Sequence, residues 1–418
     1  MTGRAGRKSI FDPVHGTILL DGPALGLIGT GEFQRLWGIR QTGFAHLVFP
    51  GANHTRLEHS LGTFWVASQM AERLGLDGPA RGRVTAAALL HDLGHAPFSH
   101  TLDGPMLETL GVSHEGVSRA RIEGTDPSWP PDRAEVPRIL EKFGLRPREV
   151  AELVDPTPRV AASPLERAIL HGAVDADRID YLQRDAHYTG VGHGAVDAGR
   201  LLETIREDSG HIAFAEKGRS AVEGFLVGRA LMYSTVYYHK TVRAAEMMAQ
   251  AAVEREPGYP ESAREQFRWT DGELLARLRH LSGVSGALAD GLLGRRLYKR
   301  AFGWREVAGA TRRRWRRLAH HPAERRALED EVARAIRTKP GSVLVDLAGL
   351  EPRQLPGDDW GTVRVFVDGR PRFPFRSPSP WRSLAERAPA DWAVSVYVAP
   401  RAKAAAGAWL SRDRSTLP

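Results

Sequence analysis

The sequence predicts a mainly α-helical protein with a smaller C-terminal α+β lobe. From about residue 31 to residue 300, apolar residues recur at helical spacing, as in GTFWVASQMAERLGL and VTAAALLHDLGHA. After Pro340 the runs SVLVDL, TVRVFV and WAVSVYV alternate as short strands do, and Asp368-Gly369 predicts a hairpin turn. We therefore predict a helical domain over residues 1–300, with its main motifs in about residues 8–250, and a basic helical segment with a small α+β lobe over residues 301–418.

Two further stretches, residues 168–184 and 221–250, predict long helices, because their apolar residues keep the helical period. The stretch before them, residues 119–164, is rich in proline and charge. We expect a surface excursion there, with one short helix near residues 135–143.

The composition excludes several classes of protein. The chain has 418 residues, 42% of them hydrophobic, and no cysteine. Disulfides, thiol nucleophiles and cysteine-ligated zinc are therefore excluded, and a bound metal needs His, Asp or Glu ligands. No apolar run approaches the ~18 residues of a membrane span, and the N-terminal MTGRAGRKSIFDPVHG lacks the apolar region of a signal peptide. We expect a cytoplasmic protein without membrane contact.

The formal net charge of +8 is concentrated in one segment. Residues 295–339 contain 15 Lys or Arg against 5 Asp or Glu, a surplus of 15 − 5 = 10. Such a block is typical of contact with the phosphates of nucleotides or of nucleic acid. The alternative is a solvated helical face in an arginine-rich protein, since only 7 of the 58 basic residues are lysine.

The stretch HDLGHAPFSHTLD, residues 91–103, places three histidines and two aspartates directly after the apolar run AAALL. On a helix, His91, Asp92 and His95 can project from one face, and Gly94 permits a close approach by another element. Adjacent side chains on a helix diverge by about 100°, so a metal held by His91 and Asp92 needs ligands from elsewhere in the chain.

Other segments offer such ligands. HTRLEHS, residues 54–60, lies upstream, and DADRIDYLQRD, residues 175–185, lies downstream. Seven of the 16 histidines fall between His46 and His114, which is denser than scatter. Two imidazoles with two carboxylates suit a divalent metal, and this ligand set does not discriminate among Mn, Fe, Zn and Mg.

The order H…HD…D within helices resembles the HD-domain metal-dependent phosphohydrolases. The blocks FDPVHGTILL, EFQRLWGIRQTG, VFPGANHTRLEHSLG, DADRIDYLQRDAHYTG and MYSTVYYHKTV resemble one branch, the deoxynucleoside triphosphate triphosphohydrolases of the SAM-and-HD-domain type, here without the SAM domain. The similarity runs from about Lys8 to Lys299 and faintly beyond. It implies an HD-domain helical bundle, a homo-oligomer (dimer or tetramer), and hydrolysis of nucleoside triphosphates, foremost dNTPs, to nucleoside and inorganic triphosphate.

The resemblance also implies the residues of the reaction centre. Its metal ligands are His59, His91, Asp92 and Asp177. Its catalytic residues are His95 and Asp103, which it pairs as an imidazole–carboxylate dyad beside the scissile phosphate, and His114, a second catalytic imidazole. A carboxylate behind a histidine sets its tautomer and raises its basicity, as an acid or phosphate-contacting group requires. A divalent metal would lower the pKa of a bound water and so generate the nucleophile.

Cations must be spread along a triphosphate. The resemblance places Arg56 at the α-phosphate and Arg178, Tyr181 and Arg229 further along the phosphates. It also gives His100 a phosphate contact, although a local interaction of this histidine with Asp103 at the start of a helix remains an alternative.

The sugar-binding residues implied by the resemblance are Gln41 and Asp185, at the 3′-hydroxyl, and Tyr237, under the deoxyribose. Relatives carry a leucine after the glutamine, where a 2′-hydroxyl would lie, whereas this chain has Thr42. Threonine is smaller and can hydrogen-bond, so rejection of ribonucleotides is expected to be weaker.

A regulatory nucleotide site is altered in this chain. Relatives gated by guanine nucleotides carry an Asp and an Arg where this chain has Gly29 and Trp37, so guanine-gated activation is not expected. Arg295 and Lys299 match basic positions near a second, regulatory nucleotide.

Two other functions stay open. One is an HD-type phosphatase that acts on a mono- or modified nucleotide in a biosynthetic step. The other is a nucleotide- or nucleic-acid-binding regulator that uses residues 295–339. Retention of four metal positions together with His95 and Asp103 favours an enzyme, because binding alone needs none of them.

Overall fold

The computed structural model describes residues 6–155, 163–259, 261–305, 307–347, 350, 360–376 and 393–412. The protein is mainly helical, as predicted. The helices are α1 Gly22–Leu27, α2 Gly31–Gln34, α3 Arg56–Arg73, α4 Gly78–Leu90, α5 His100–Leu110, α6 His114–Glu123, α7 Val136–Lys142, α8 Pro147–Val154, α9 Pro164–His171, α10 Ala176–Thr189, α11 Ala198–Thr204, α12 Arg219–Met232, α13 Lys240–Glu254, α14 Asp271–Arg279, α15 Gly283–Leu293, α16 Gly309–His320, α17 Pro322–Ala335 and α18 Lys403–Arg412.

Short strands form small sheets beside the helices. The strands are β1 Lys8–Asp12, β2 Gly16–Leu20, β3 Ile205–Asp208, β4 His211–Phe214, β5 Lys299–Trp304, β6 Val343–Asp346, β7 Arg364–Val367, β8 Arg370–Arg372 and β9 Val394–Val398. β1 and β2 form a hairpin, while the larger sheets have the orders β3-β4-β7-β8 and β5-β9-β6. The predicted turn at Asp368 and Gly369 is confirmed: it joins β7 to β8, and both residues have positive φ.

The largest hydrophobic cluster lies between α3, α4 and α10. α3 begins at a capping box, in which Thr55 and Glu58 satisfy backbone N–H groups of the first turn. Val66 and Met70 on its buried face belong to the same cluster as Leu90, the last residue of α4. Because α4 ends inside this cluster, the His91-Asp92 pair that follows begins at the centre of the bundle.

Both predicted long helices are broken in the structure. Residues 168–184 divide into α9 and α10 at Gly172, where a Cβ atom would lie 2.6 Å from the Ala168 carbonyl oxygen, and Asp175 caps the new helix by accepting from the Arg178 N–H. Residues 221–250 divide into α12 and α13 at a π-helical turn over Tyr233–Tyr237. Such turns are frequent at functional sites.

The prediction of a surface excursion over residues 119–164 is confirmed only in part. The short helix is confirmed as α7, but α8 follows it and packs against α4 and α6. Val150, Leu153 and Val154 of α8 are buried in the main cluster. Pro137 and Pro147 lie in the first turns of α7 and α8, where a missing N–H costs nothing.

The C-terminal strands contact both predicted regions. β5 contains residue 300, and it pairs with β9, while β7 pairs in parallel with β4 of the first region. A third cluster, around Trp315, joins α16 and α17 to β6 and β9. The division at residues 300 and 301 stays a prediction. Within the described part of the chain, no helix is both long and apolar enough to cross a membrane.

We expect Gly62→Ala to lower the free energy of unfolding by about 2–4 kcal/mol, because the added methyl group on α3 would overlap Asp180 Oδ1 and Arg184 Nη2, a buried ion pair. Urea denaturation followed by circular dichroism measures this change. The matched control is Gly224→Ala on the exposed face of α12, where a Cβ meets nothing within 4 Å, and which should stabilise by about 0.5 kcal/mol. Equal stability of the two variants would contradict the close approach.

Candidate active site

The predicted helix over His91 to His95 is wrong. α4 ends at Leu90, and residues 91–94 form turns. Backbone groups of this loop are bound by side chains from other elements instead of by helical hydrogen bonds. Ser118 donates to the His91 carbonyl and accepts from the Gly94 N–H, Arg121 donates to the Leu93 carbonyl, and Arg35 donates to the His95 carbonyl. A Cβ on Gly94 would overlap the His114 carbonyl, so the expected close approach at this glycine is confirmed.

The loop ends in two residues with left-handed backbone, Phe98 with φ 61° and Ser99 with φ 54°. Each such residue costs on the order of 1 kcal/mol, which the surroundings must supply. Asp271 Oδ1 accepts from the Phe98 N–H at 2.7 Å. Ser99 Oγ accepts from Arg56 Nε at 2.8 Å and donates to the Arg40 carbonyl at 2.7 Å. These bonds turn the chain so that α5 starts at His100.

The four predicted metal ligands converge from three elements. His59 lies on α3, His91 and Asp92 on the loop after α4, and Asp177 on α10. His59 Nε2 lies 2.9 Å from Asp177 Oδ1 and 3.7 Å from Asp92 Oδ2, while His91 Nε2 lies 3.2 Å from Asp92 Oδ1 and 3.7 Å from Asp177 Oδ1. The Asp177 side chain is 35% exposed against 1% for His59, so the cluster opens to solvent on the Asp177 side.

The tautomers of both histidines follow from their partners. His59 Nδ1 lies 2.7 Å from Asp180 Oδ2, and His91 Nδ1 lies 2.8 Å from the Ala88 carbonyl oxygen. Since both partners only accept, each Nδ1 carries a hydrogen, and each Nε2 is the atom that would face a metal in the cluster. His91 Nε2 is buried and has no hydrogen-bond partner among the described residues. These donors fit a divalent cation.

The electrostatics of the cluster also favour a cation. Burial would lower the pKa of His59, but hydrogen bonds to Asp177 and Asp180 raise it to about 10. Burial likewise opposes the rise in the pKa of His91, which Asp92 and Asp177 produce. Burial would raise the pKa of Asp92, but Arg56 and His91 hold it well below its usual range. The cluster therefore attracts protons, and a bound divalent metal would displace them.

Asp180 supports the metal cluster from behind. Its Oδ1 lies 2.6 Å from His15 Nε2 at the β1–β2 turn, and Arg184 donates to both of its oxygens at 2.9 Å. Arg184 also donates to Asp12 Oδ2 at 2.8 Å. The sequence offered Asp180 only as one of several carboxylates in DYLQRD. It assigned no role to Arg184 of the same motif, or to Asp12 and His15 of FDPVHG. Their separation of more than 160 residues hid the contact.

A second cluster joins the three predicted catalytic residues to His100. Asp103 Oδ2 lies 2.8 Å from His100 Nδ1 and 3.1 Å from His114 Nδ1, whereas Asp103 Oδ1 lies 3.7 Å from His95 Nδ1. The His95 and His114 rings stack at 3.9 Å. Asp103 therefore hydrogen-bonds to His114 and to His100, so the local contact of His100 is present, and the distance to His95 is too long for a hydrogen bond.

The two stacked imidazoles have opposite charge preferences. Burial, Arg56 and His114 lower the pKa of His95 well below its usual value. Burial would also lower the pKa of His114, but Asp103 raises it to about 9. His95 is therefore neutral and His114 protonated at neutral pH. His95 Nε2 lies 3.3 Å from Asp92 Oδ1, which connects the second cluster to the metal cluster.

Arg56 lies between the two clusters. It is buried and donates from Nη1 to Asp92 Oδ2 at 2.5 Å, and its Nη2 has no hydrogen-bond partner in the described part of the chain. The charges of two further predicted phosphate residues, Arg178 and Arg229, act on Asp175 and on Tyr181. Burial raises the pKa of Asp175 to about 7 and also raises the pKa of Tyr181, and both arginines oppose these rises.

The three predicted sugar-binding residues are brought together. Tyr237 OH donates to Asp185 Oδ2 at 2.5 Å, and His54 Nε2 lies 2.7 Å from Asp185 Oδ1. The Gln41 N–H donates to the His54 carbonyl at 3.1 Å. Gln41 Oε1 and Thr42 Oγ1 are buried without a hydrogen-bond partner among the residues described. His54 was not predicted as a site residue. Its position in HTRLEHS, close to the predicted site residues Arg56 and His59, was the signal that could have identified it.

The predicted regulatory positions lie apart from these clusters. Gly29 and Trp37 are exposed, and Trp37 belongs to an apolar pocket that also includes Phe11, Ile28 and Phe33. This pocket offers no guanidinium for a guanine edge. Arg295 and Lys299 are exposed, and Arg295 donates to the Leu47 carbonyl at 2.8 Å. Their binding of a nucleotide stays a prediction.

Curated relatives match about 60% of the chain. An uncharacterized protein of Methanocaldococcus jannaschii is 42% identical over 253 residues, which are 60% of this chain and 50% of that protein. An uncharacterized protein of Bacillus subtilis is 37% identical over 261 residues, 60% of this chain and 57% of that protein. The deoxynucleoside triphosphate triphosphohydrolase SAMHD1 of Gallus gallus is 30% identical over 283 residues, 59% of this chain and 45% of that protein. The chain thus spans about half the length of these relatives.

Solved structures match nearly the whole chain. A hypothetical protein of Aquifex aeolicus superposes with a TM-score of 0.72 at 25% identity over 97% of this chain and 100% of that one. A phosphohydrolase of Bacteroides thetaiotaomicron superposes with a TM-score of 0.69 at 24% identity, over 95% of this chain and 100% of that one. Residues 56–185 match the HD domain, and residues 196–412 match the HD-associated region. Since the latter covers 217 of 418 residues, the chain belongs to the HD-domain family with an HD-associated region.

Proposed function

We propose that the protein is a metal-dependent nucleoside triphosphate triphosphohydrolase that prefers dNTPs and releases deoxynucleoside and inorganic triphosphate. The observation that carries this proposal is the contact between the two clusters through Asp92. A cation-attracting His/Asp set lies on one side, and a neutral His95 stacked on a protonated His114 lies on the other. The likeness to a deoxynucleoside triphosphate triphosphohydrolase of Gallus gallus supports the substrate class.

Each side chain has a distinct task in this proposal. His59, His91, Asp92 and Asp177 would hold the divalent metal. That metal would supply activation of a water nucleophile and polarisation of a phosphoryl oxygen. Arg56, fixed by Asp92 and Ser99, stabilises charge on the α-phosphate with its free Nη2. His114, kept protonated by Asp103 and stacked on the neutral His95, donates a proton directly to the departing oxygen of the nucleoside.

The remaining residues bind the rest of the substrate. Arg178 and Arg229, whose charges both act on Tyr181, would neutralise the outer phosphates. The Asp185 carboxylate, fixed by His54 and Tyr237, accepts from the 3′-hydroxyl. Buried polar groups that a substrate hydroxyl must satisfy give strong discrimination against analogues that lack it.

Product analysis tests the proposed function. Incubation of the purified protein with Mn²⁺ and each standard NTP and dNTP should yield inorganic triphosphate and nucleoside. Asp177→Ala should abolish both turnover and the metal content measured by elemental analysis, because the three remaining ligands would bind the metal more weakly. Asp132→Ala, an exposed aspartate, is the control. Release of orthophosphate from a monophosphate would instead support the phosphatase alternative, and retained activity in Asp177→Ala would refute the metal assignment.

The alkaline limb of the pH–activity profile should report His114. Its pKa of about 9 keeps the proton available below that pH, so kcat/KM should fall as pH rises through about 9. Asp103→Asn removes the largest raising charge, so the limb should move to lower pH by roughly 1–2 units. Glu115→Gln, whose carboxylate lies 3.3 Å from His114 Nε2 and contributes less, should move it by a smaller amount. An unchanged limb in Asp103→Asn would exclude His114 as the proton donor.

Thr42→Leu should sharpen the preference for dNTPs. The added volume would occupy the space of a 2′-hydroxyl and remove a buried hydroxyl that lacks a partner in the described structure. We expect the ratio of kcat/KM for dATP to that for ATP to rise about 10-fold or more. Thr42→Val removes only the hydroxyl, so a smaller rise there would assign the remainder to side-chain size. A constant ratio in both variants would place Thr42 away from the sugar.

A further inference from the structure

The basic segment, residues 295–339, contains two helices of different net charge after β5. α16, residues 309–320, contains five arginines and no acidic residue, which is a formal charge of +5. α17, residues 322–335, contains three arginines and four acidic residues, so its formal charge is 3 − 4 = −1. α16 therefore carries +5 of the surplus of 10 positive charges in the whole segment, and α17 carries none of it.

Two of the three arginines of α17 make internal contacts. Arg325 is buried and donates from Nη2 to both oxygens of Glu254 at 2.6 Å, and Arg326 donates to the same glutamate at 3.3 Å. Arg255 of α13 in turn donates to Asp330 at 3.0 Å. These ion pairs hold α17 against α13, and they leave little charge on α17 for an external partner.

The arginines of α16 are exposed. Arg317 lies 2.8 Å from Glu324, an exposed pair that contributes little. The described residues include no ion-pair partner for the other four, Arg312, Arg313, Arg314 and Arg316. Elsewhere on the surface, exposed arginines such as Arg146 and Arg148 pair with a glutamate three or four positions away.

The shape of α16 presents these side chains together. At about 100° per residue, the five arginines cover an arc of roughly 200°, and Trp315 and Leu318 occupy the remainder. Both apolar residues are buried in the cluster with α17 and β9, which fixes the orientation of the helix. The 12 residues of α16 extend for about 18 Å, so several guanidinium groups can reach neighbouring phosphates at once.

We propose that the exposed face of α16 binds the phosphate backbone of duplex nucleic acid without sequence specificity. Arginine guanidinium groups bind phosphate oxygens bidentately, and several of them in one row match a repeating polyanion better than a single nucleotide. Single-stranded partners are bound through exposed aromatic rings, and the one aromatic residue of α16, Trp315, is fully buried. An anionic membrane surface is disfavoured for the same reason, since basic membrane-binding helices insert apolar side chains.

Fluorescence anisotropy with a labelled random-sequence duplex of ~30 base pairs tests this proposal. The full-length protein should bind, and four phosphate contacts predict about 100-fold weaker affinity at ~200 mM than at ~50 mM salt. The variant with Arg312→Gln, Arg313→Gln and Arg316→Gln should lower the salt slope by roughly 3 and weaken binding at least ~10-fold at the lower salt concentration. Hydrolysis of nucleotides should be unchanged, so the proposal stands or falls independently of the proposed function.

The matched control carries Arg146→Gln, Arg148→Gln and Arg219→Gln, which removes the same net charge from other exposed positions. It should retain the affinity and the salt slope of the unmodified protein. An equal loss in both triple variants would overturn the proposal, because it would assign binding to net charge. No binding at ~50 mM salt would also overturn it. So would tighter binding of a single strand, or binding to anionic vesicles without binding to the duplex.

Discussion

The buried carboxylate of Asp180 is the interaction on which the candidate site depends. It contacts His59 of α3, His15 of the β1–β2 turn and Arg184 of α10. Leaving a buried charge with a partner missing costs several kcal/mol, so these segments can only pack with all contacts made. The same group that holds the N-terminal hairpin therefore also sets the tautomer of a candidate metal ligand.

Asp92 plays a comparable part between the two clusters. Its carboxylate contacts His91 and His95 and accepts from Arg56, so its negative charge is shared among a candidate metal ligand, a neutral imidazole and a buried guanidinium. In the second cluster, the Asp103 carboxylate likewise contacts two imidazoles, those of His114 and His100. Asp92 and Asp103 thus separate neighbouring histidines into different protonation states, as metal binding and proton transfer at one site would require.

Much of the architecture could be predicted from pattern. The helical period, the later β alternation and the Asp368-Gly369 turn are local signals, and the structure confirms them. The predictions failed where tertiary contacts compete with local preference. The loop after Leu90 gives up helical hydrogen bonds because Ser118, Arg121 and Arg35 satisfy its backbone, and α8 is buried although its segment is rich in proline and charge. Neither the capping side chains nor the partner surface is adjacent in sequence.

The sequence by itself determined the chemistry available: histidines and aspartates for a divalent metal, no cysteine, and arginine in excess. The order and spacing of its motifs were enough for the family and for the set of candidate site residues. Only the tertiary structure decided which groups pair. It placed Asp103 on His114 instead of His95, connected His15 to His59 through Asp180, and divided the basic segment into a neutralised α17 and an exposed α16. Charge pairing depends on distance and burial in three dimensions, and a residue's position in the chain does not encode either.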